Sequence, residues 1–176
     1  MRRLRLVWVI LGVIVVAAAY QLLLGDRSAE PRLFVPRATA TIGSASEAIG
    51  VGPQGQVLAW LPLPVDFVLP YLPITEPPPS GQLAGPVLEQ ALVLGAAPAA
   101  LRPHLNRSYY GENGVAVELR SGIELRFGDA SQALLKWDAA AAVITDPSLE
   151  ALDYVNLHAP RRPTVGGSGH TLPPVE

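Results

Sequence analysis

The stretch Gly114–Lys136, GVAVELRSGIELRFGDASQALLK, constrains this chain more than any other. In its first arm Val115, Val117 and Leu119 alternate with Ala116, Glu118 and Arg120. In its second, Ile123, Leu125 and Phe127 alternate with Glu124 and Arg126. A period of two argues for strands that bury one face. Both apolar sets fall on odd numbers, so the apolar faces coincide only if paired residues have an even sum. A Ser121-Gly122 loop would set Leu119 opposite Glu124. The longer loop Arg120-Ser121-Gly122, with the glycine left-handed, pairs Leu119 with Ile123, Val117 with Leu125 and Val115 with Phe127. This register places Glu118 opposite Glu124 on the solvated face, where Arg120 and Arg126 are expected to offset the repulsion.

Gly128 is expected to break the second strand, and Asp129 followed by Gln132 reads as an N-cap with its capping-box partner. Leu134, Trp137, Ala141 and Ile144 then form a helical stripe that stops at Asp146-Pro147. Trp137 is expected in the helix core and Lys136 on the helix surface. The unit is a hairpin running into a helix, which is α+β in character.

Upstream, Leu6–Leu24 is an apolar run in which Gln21 alone is strongly polar. At about 1.5 Å per residue its helix spans roughly 28 Å, enough for a bilayer core. Arg2, Arg3 and Arg5 precede it, so residues 1–5 are expected in the cytoplasm and the remainder outside. The alternative is a signal peptide cut near Ala17-Ala18-Ala19, but the apolar run continues through Leu22-Leu23-Leu24. The reading is an uncleaved single-pass anchor at 6–24, a tether at 25–36, a domain at 37–165 and a flexible tail at 166–176. Expected in the domain are a strand near Ala38–Ile42, a turn and strand at Gly55–Trp60, and a proline-rich extended segment over Leu61–Pro79. A helix over Gly85–Gly95 begins with Pro86 and carries Leu88, Ala91 and Leu92 on one face. A short turn follows in Pro98–Leu105, then a strand at Asn106–Tyr110 and a last strand at Leu152–Leu157. The fold class is α+β, a mostly antiparallel sheet with two or three helices.

Composition narrows the chemistry. With no cysteine in 176 residues there is neither a disulfide framework nor a thiolate metal site. His104, His158 and His170 lack ligand-like spacing, so no metal and no cofactor are expected. Gly166-Gly167-Ser168-Gly169-His170 lacks the last glycine of a nucleophile elbow and follows no predicted strand. No phosphate loop, HExxH motif or acid/base carboxylate pair stands out. Asn106-Arg107-Ser108 is formally a glycosylation sequon. Beyond the three N-terminal arginines the chain carries an acidic excess, which gives no reason to expect nucleic acid as a partner.

A short cytoplasmic end, one span, and an exported domain ending in hairpin, helix and strand together resemble the FtsQ/DivIB family of bacterial division proteins. Gly55-Gln56-Val57 followed by Leu69-Pro70-Tyr71-Leu72 is similar to that family's "G-x-V … LP-x-L" run. Val117–Gly122 with Phe127-Gly128 and Lys136 is similar to its "L-x-x-G … lG … K" stretch, which marks Gly122, Gly128 and Lys136 as motif positions. Tyr154–Pro160, then Pro163-Thr164-Val165, resembles its closing "Y-I-D-L-R-x-P … P-x-V", with Asn156 and His158 where the family has Asp and Arg. Pro160 is the fourth motif position. The family's POTRA module has no counterpart between the span and residue 37.

The resemblance implies a non-enzymatic divisome scaffold at the septum of the bacterial cell membrane. Its implied partners are FtsL-like and FtsB/DivIC-like coiled-coil membrane proteins, with no small-molecule substrate. Contact is expected by β-augmentation on the last strand, through Asp153, Tyr154, Val155, Asn156, Leu157 and His158. A generic membrane-anchored envelope binding module and a secreted hydrolase are the alternatives.

Overall fold

The computed structural model describes residues 37–44, 47–63 and 68–174. The expected anchor at 6–24 and tether at 25–36 lie outside them. Among the described residues no helix is long and apolar enough to cross a membrane.

Among the described residues the fold is α+β, with two helices and two mostly antiparallel sheets. The smaller sheet joins β1 (Ala40–Ile42), β2 (Ile49–Val51) and β3 (Val57–Leu58). The larger contains β4 (Leu105–Gly111), β5 (Gly114–Leu119), β6 (Glu124–Gly128), β7 (Ala151–Asn156) and β8 (Thr164–Thr171), in that spatial order. Helix α1 (Gly85–Gly95) packs on β4 and β5, and α2 (Ala133–Ile144) packs on β6. A short 3-10 turn at Arg102–His104 leads into β4.

The two sheets are stitched together by Tyr71. Its N–H donates to the Asn106 carbonyl at 3.2 Å and its carbonyl accepts from Ser108 N–H at 3.0 Å. On the other side Thr41 N–H donates to the Pro70 carbonyl at 3.0 Å, and Leu72 N–H donates to the Thr41 carbonyl at 2.8 Å. A proline-rich segment can do this because one residue at a time pairs, and the prolines fall where no donor is needed.

The hairpin follows the parity argument at its turn. Val117 pairs with Leu125 and Glu118 with Glu124. Leu119 N–H donates to the Ile123 carbonyl at 2.8 Å, and Gly122, with φ at 94°, takes the left-handed position. The far end differs from expectation. A bulge pairs Val115 with Gly128 rather than Phe127, while β6 ends at Gly128, left-handed at φ 78°, as expected of the break there. Arg120 does not serve the facing carboxylates. Its Nε donates to the Pro103 carbonyl at 2.9 Å, and Arg107, which sequence reasoning passed over, takes Glu118 instead.

The helix after the hairpin also begins later than its capping pattern predicts. Asp129 does not cap it; Gln132, left-handed at φ 52°, precedes the first turn and makes no side-chain cap. The buried face is Lys136, Trp137, Ala140 and Ile144, while Leu134 is 70% exposed. Lys136 is the main correction, because it is buried. Its Nζ donates to the Phe127 carbonyl at 2.9 Å, the Asp129 carbonyl at 3.1 Å and Asp129 Oδ1 at 2.7 Å. Asp129 is therefore spent on bracing Lys136 and the Ser131 turn, where Oδ1 also accepts from Ser131 N–H at 3.0 Å. Trp137 is in the core as expected. Its ring lies 4.8 Å from that of Phe127, and Nε1 donates to the Val93 carbonyl of α1 at 2.7 Å. One residue thus fastens α2 to both β6 and α1, on the face that buries Val117, Leu125 and Val155.

Helix α1 has the expected bounds, with Pro86 in its first turn, although Gln90, Ala91, Val93 and Leu94 are its buried residues rather than Leu88 and Leu92. Two strands were not anticipated. They are β2, at Ile49–Val51 between the two strands expected nearby, and β8, most of which falls in the expected flexible tail at 166–176.

Lys136→Met is expected to lower unfolding free energy by roughly 2–4 kcal/mol, most of it from orphaning the Phe127 and Asp129 carbonyls, since solvent screens the exposed carboxylate. The Lys136 ammonium, followed by Ser131, holds Asp129 down from 3.8 to about 2. That stabilisation is complete above about pH 3.8 and is lost as pH falls through about 2. Chemical denaturation on both sides of this window should show a smaller acid loss in the variant; an undiminished loss would refute the pairing.

Candidate functional site

The five-stranded sheet turns one face to the helices and the other to solvent, and its register arranges the solvated face in rows. One row runs Arg107, Glu118, Glu124, Tyr154, Gly166 across β4 to β8. The adjacent row runs Tyr109, Ala116, Arg126, Asn156, Thr164. Side chains in such rows stand within reach of their cross-strand and diagonal neighbours.

Charges alternate with aromatic rings across these rows. Arg107 NH2 and Glu118 Oε2 are 2.6 Å apart, and Asn106 Nδ2 donates to Glu118 Oε1 at 2.8 Å. Burial alone pushes Glu118 up, but the hydrogen bonds from Arg107 and Asn106 outweigh it and leave the carboxyl below its usual range. Arg107 is raised in turn, chiefly by its hydrogen bond to Glu118. Arg126 Nε donates to Glu124 Oε1 at 3.0 Å, and its guanidinium carbon lies 4.0 Å from the centroid of the Tyr154 ring. That bond to Glu124 raises Arg126. Burial first, then the Glu124 carboxylate, raises the Tyr109 hydroxyl. Tyr154 reaches over Gly166, where any side chain would strike its ring and hydroxyl.

The residues expected to form an open edge sit otherwise. β7 is not the edge: it pairs in parallel with β6 on one side and antiparallel with β8 on the other. Asp153–Ala159 therefore offers no free ladder over β7, because the segment taken for a tail has already paired with it. Val155 and Leu157 are fully buried and cannot select a partner. Tyr154 and Asn156 point to the solvated face, and Asn156 Oδ1 accepts from His158 N–H at 3.1 Å. The His158 ring lies against Gly128. Of the motif positions, Gly122 makes the hairpin turn, Lys136 is the buried clamp, and Pro160 lies in the turn closed by Arg162 N–H to the Ala159 carbonyl at 2.8 Å.

Asp153 has a part of its own. Between the pairs Leu152–His170 and Tyr154–Gly166, β8 carries extra residues, and they wrap around this carboxylate. Gly169 N–H donates to Asp153 Oδ1 at 2.8 Å. Gly167, at φ 80°, lies so close that a β-carbon would collide with the same side chain. The Gly166–Gly169 run, unusable as a nucleophile elbow, is a bulge built around one carboxylate. Clustered glycines are the one sequence signal for it, since glycine inside a strand often marks a bulge.

The true edge is β8, exposed along nearly its whole length. Val165 pairs with Val155 on the helix side of the sheet yet remains 39% exposed, because among the described residues no strand lies beyond it. Among the described residues no three His, Cys, Asp or Glu side chains converge in a way that could hold a metal ion. No protein-family model matches the chain, and no curated protein matches it.

Gly167→Ala should lower stability by about 1–2 kcal/mol through the left-handed strain and the Asp153 contact. Amide exchange should accelerate in β8 and at Leu152–Tyr154 while the β4–β5 amides keep their protection. Uniform acceleration, or none, would show that the bulge does not set the β8 edge.

Proposed function

We propose that this chain is a non-enzymatic, membrane-anchored divisome scaffold of the bacterial cell envelope that supports septal peptidoglycan synthesis. It binds FtsL-like and FtsB/DivIC-like coiled-coil membrane proteins by β-augmentation. One observation carries the reading: among the described residues a sheet of five strands has one edge stitched to Tyr71 and the other, β8, without a further strand, and with a half-covered valine on its helix side. Unpaired edge groups are a ready template for an added strand.

The bulge around Asp153 divides β8 into Thr164–Gly166, paired with Tyr154–Asn156, and His170–Thr171, paired with Leu152 and Ala151. A partner strand docks along the first segment. There it covers Val165 on the helix side, and on the solvated side it meets the Tyr154 ring with Arg126 stacked on it. Backbone pairing supplies register, and these side chains supply selectivity. The expected contact residues thus move outward from β7 to β8, and Tyr154 alone of the expected set keeps a direct role.

Two measurements test this. A fluorescent fusion of the full chain should form a mid-cell band, and its depletion should leave filaments without septa; uniform membrane signal with normal septa would overturn the divisome assignment. Proline placed singly at Thr164, Val165 and Gly166 separates folding from docking, since an edge tolerates proline where the N–H faces outward. At least one variant should keep the wild-type unfolding midpoint and lose about tenfold or more in affinity for the coiled-coil partners. Unaltered affinity in every folded variant would sink the β-augmentation.

A further inference from the structure

A cavity of ≈ 530 Å³ opens on another part of the domain, and its chemistry is unlike that of the β8 edge. Its charged lining consists of Arg37, Arg102 and Arg120, drawn from the start of the domain, the 3-10 turn before β4 and the hairpin loop. No carboxylate is among the described residues that line it. The rest of the wall is largely apolar, with Ala38, Pro70 and Pro103, and Val68 is 63% exposed.

Two of these guanidinium groups are braced rather than loose. Arg102 Nε donates to the Ala97 carbonyl at 2.9 Å, and Arg120 Nε donates to the Pro103 carbonyl at 2.9 Å. Each bond holds the side chain by its inner nitrogen, and among the described residues neither guanidinium has an ion-pair partner. Burial, then the charge of Arg37, lowers Arg102 from its ordinary value. Elsewhere on the domain Arg107 and Arg126 each hold a glutamate. Like charges gathered in one cavity leave a deficit that an anion would fill.

We propose that this cavity is a binding site for a phosphoryl group carried on an apolar body. A single carboxylate offers two oxygens and one charge, which a single arginine fork satisfies. A phosphate ester offers more acceptor oxygens and up to two charges, which suits several forks presented together. The apolar wall beside them takes the group that bears the phosphate. The same chemistry is presented by an anionic phospholipid headgroup and by a soluble phosphate ester. The cavity's lining includes no residue of β8, and the site does not depend on the scaffold reading.

The test uses the full chain in neutral detergent, titrated calorimetrically with inorganic phosphate, glycerol 3-phosphate, dihexanoyl phosphatidylglycerol and, as the zwitterionic control, dihexanoyl phosphatidylcholine. Saturable binding is expected for phosphate-bearing anions, weakening as salt rises, with phosphatidylcholine at least about tenfold weaker than phosphatidylglycerol. Binding of phosphatidylglycerol alone assigns the lipid as source, and binding of glycerol 3-phosphate as well assigns soluble esters; both support the site. Arg37→Glu, at an exposed residue, supplies a carboxylate to the cavity. It should weaken anion binding about tenfold or more and raise the unfolding midpoint in anion-free buffer. Arg102→Gln should weaken binding without raising the midpoint. Absence of saturable binding by every anion, or equal binding in both variants, would overturn the proposal.

Discussion

The parallel step from β6 to β7 depends on how firmly α2 is held, and Lys136 holds it. An antiparallel hairpin closes locally, but a parallel neighbour has to be reached by a crossover, and the crossover must be fixed where it leaves the sheet. Here the chain's one lysine reaches back from the first turn of α2 to Phe127 near the end of β6 and Asp129 just past it, and a compact ammonium meets three oxygens at once. The next residue, Trp137, carries the fixation outward to Phe127 and to the end of α1. Two adjacent side chains thereby set where β7 lies, and with it the register of the sheet's outer half.

The edge is the second constraint. A sheet must do something with its last unpaired strand, and this one treats its two sides differently. The β4 side is taken up by Tyr71, which also joins the smaller sheet, while among the described residues β8 is left open but bent by its bulge around Asp153. The bend shortens the straight run that a foreign strand can use. A short template favours partners that also satisfy side chains, which is where Val165 and the Arg126–Tyr154 stack matter.

Much of the fold was legible in local patterning. Alternation and parity gave the hairpin and its left-handed Gly122, and the proline start gave α1 its bounds. Local signals failed where they had a competitor further along the chain. Asp129 has the residue type and spacing of an N-cap, yet the Lys136 ammonium claims it. Leu134 fits a helical stripe but faces solvent, because the clamp and Trp137 rotate the helix to bury Lys136. β8 escaped notice because a glycine-rich strand with one valine has no period to read, and its pairing partner supplies what its side chains do not.

The sequence by itself determined the strands and turns whose evidence lies within a few residues: the alternating arms of β5 and β6, the glycine between them, and the core identity of Trp137. Only the tertiary structure decided that Lys136 is buried, that β7 is interior, that Tyr71 knits the two sheets, and that Arg37, Arg102 and Arg120 share one cavity. The reason is that local patterns report which backbone conformation a segment prefers and which face it hides. The partner of a donor, a charge or a strand edge is chosen among all segments at once, when the chain closes on itself.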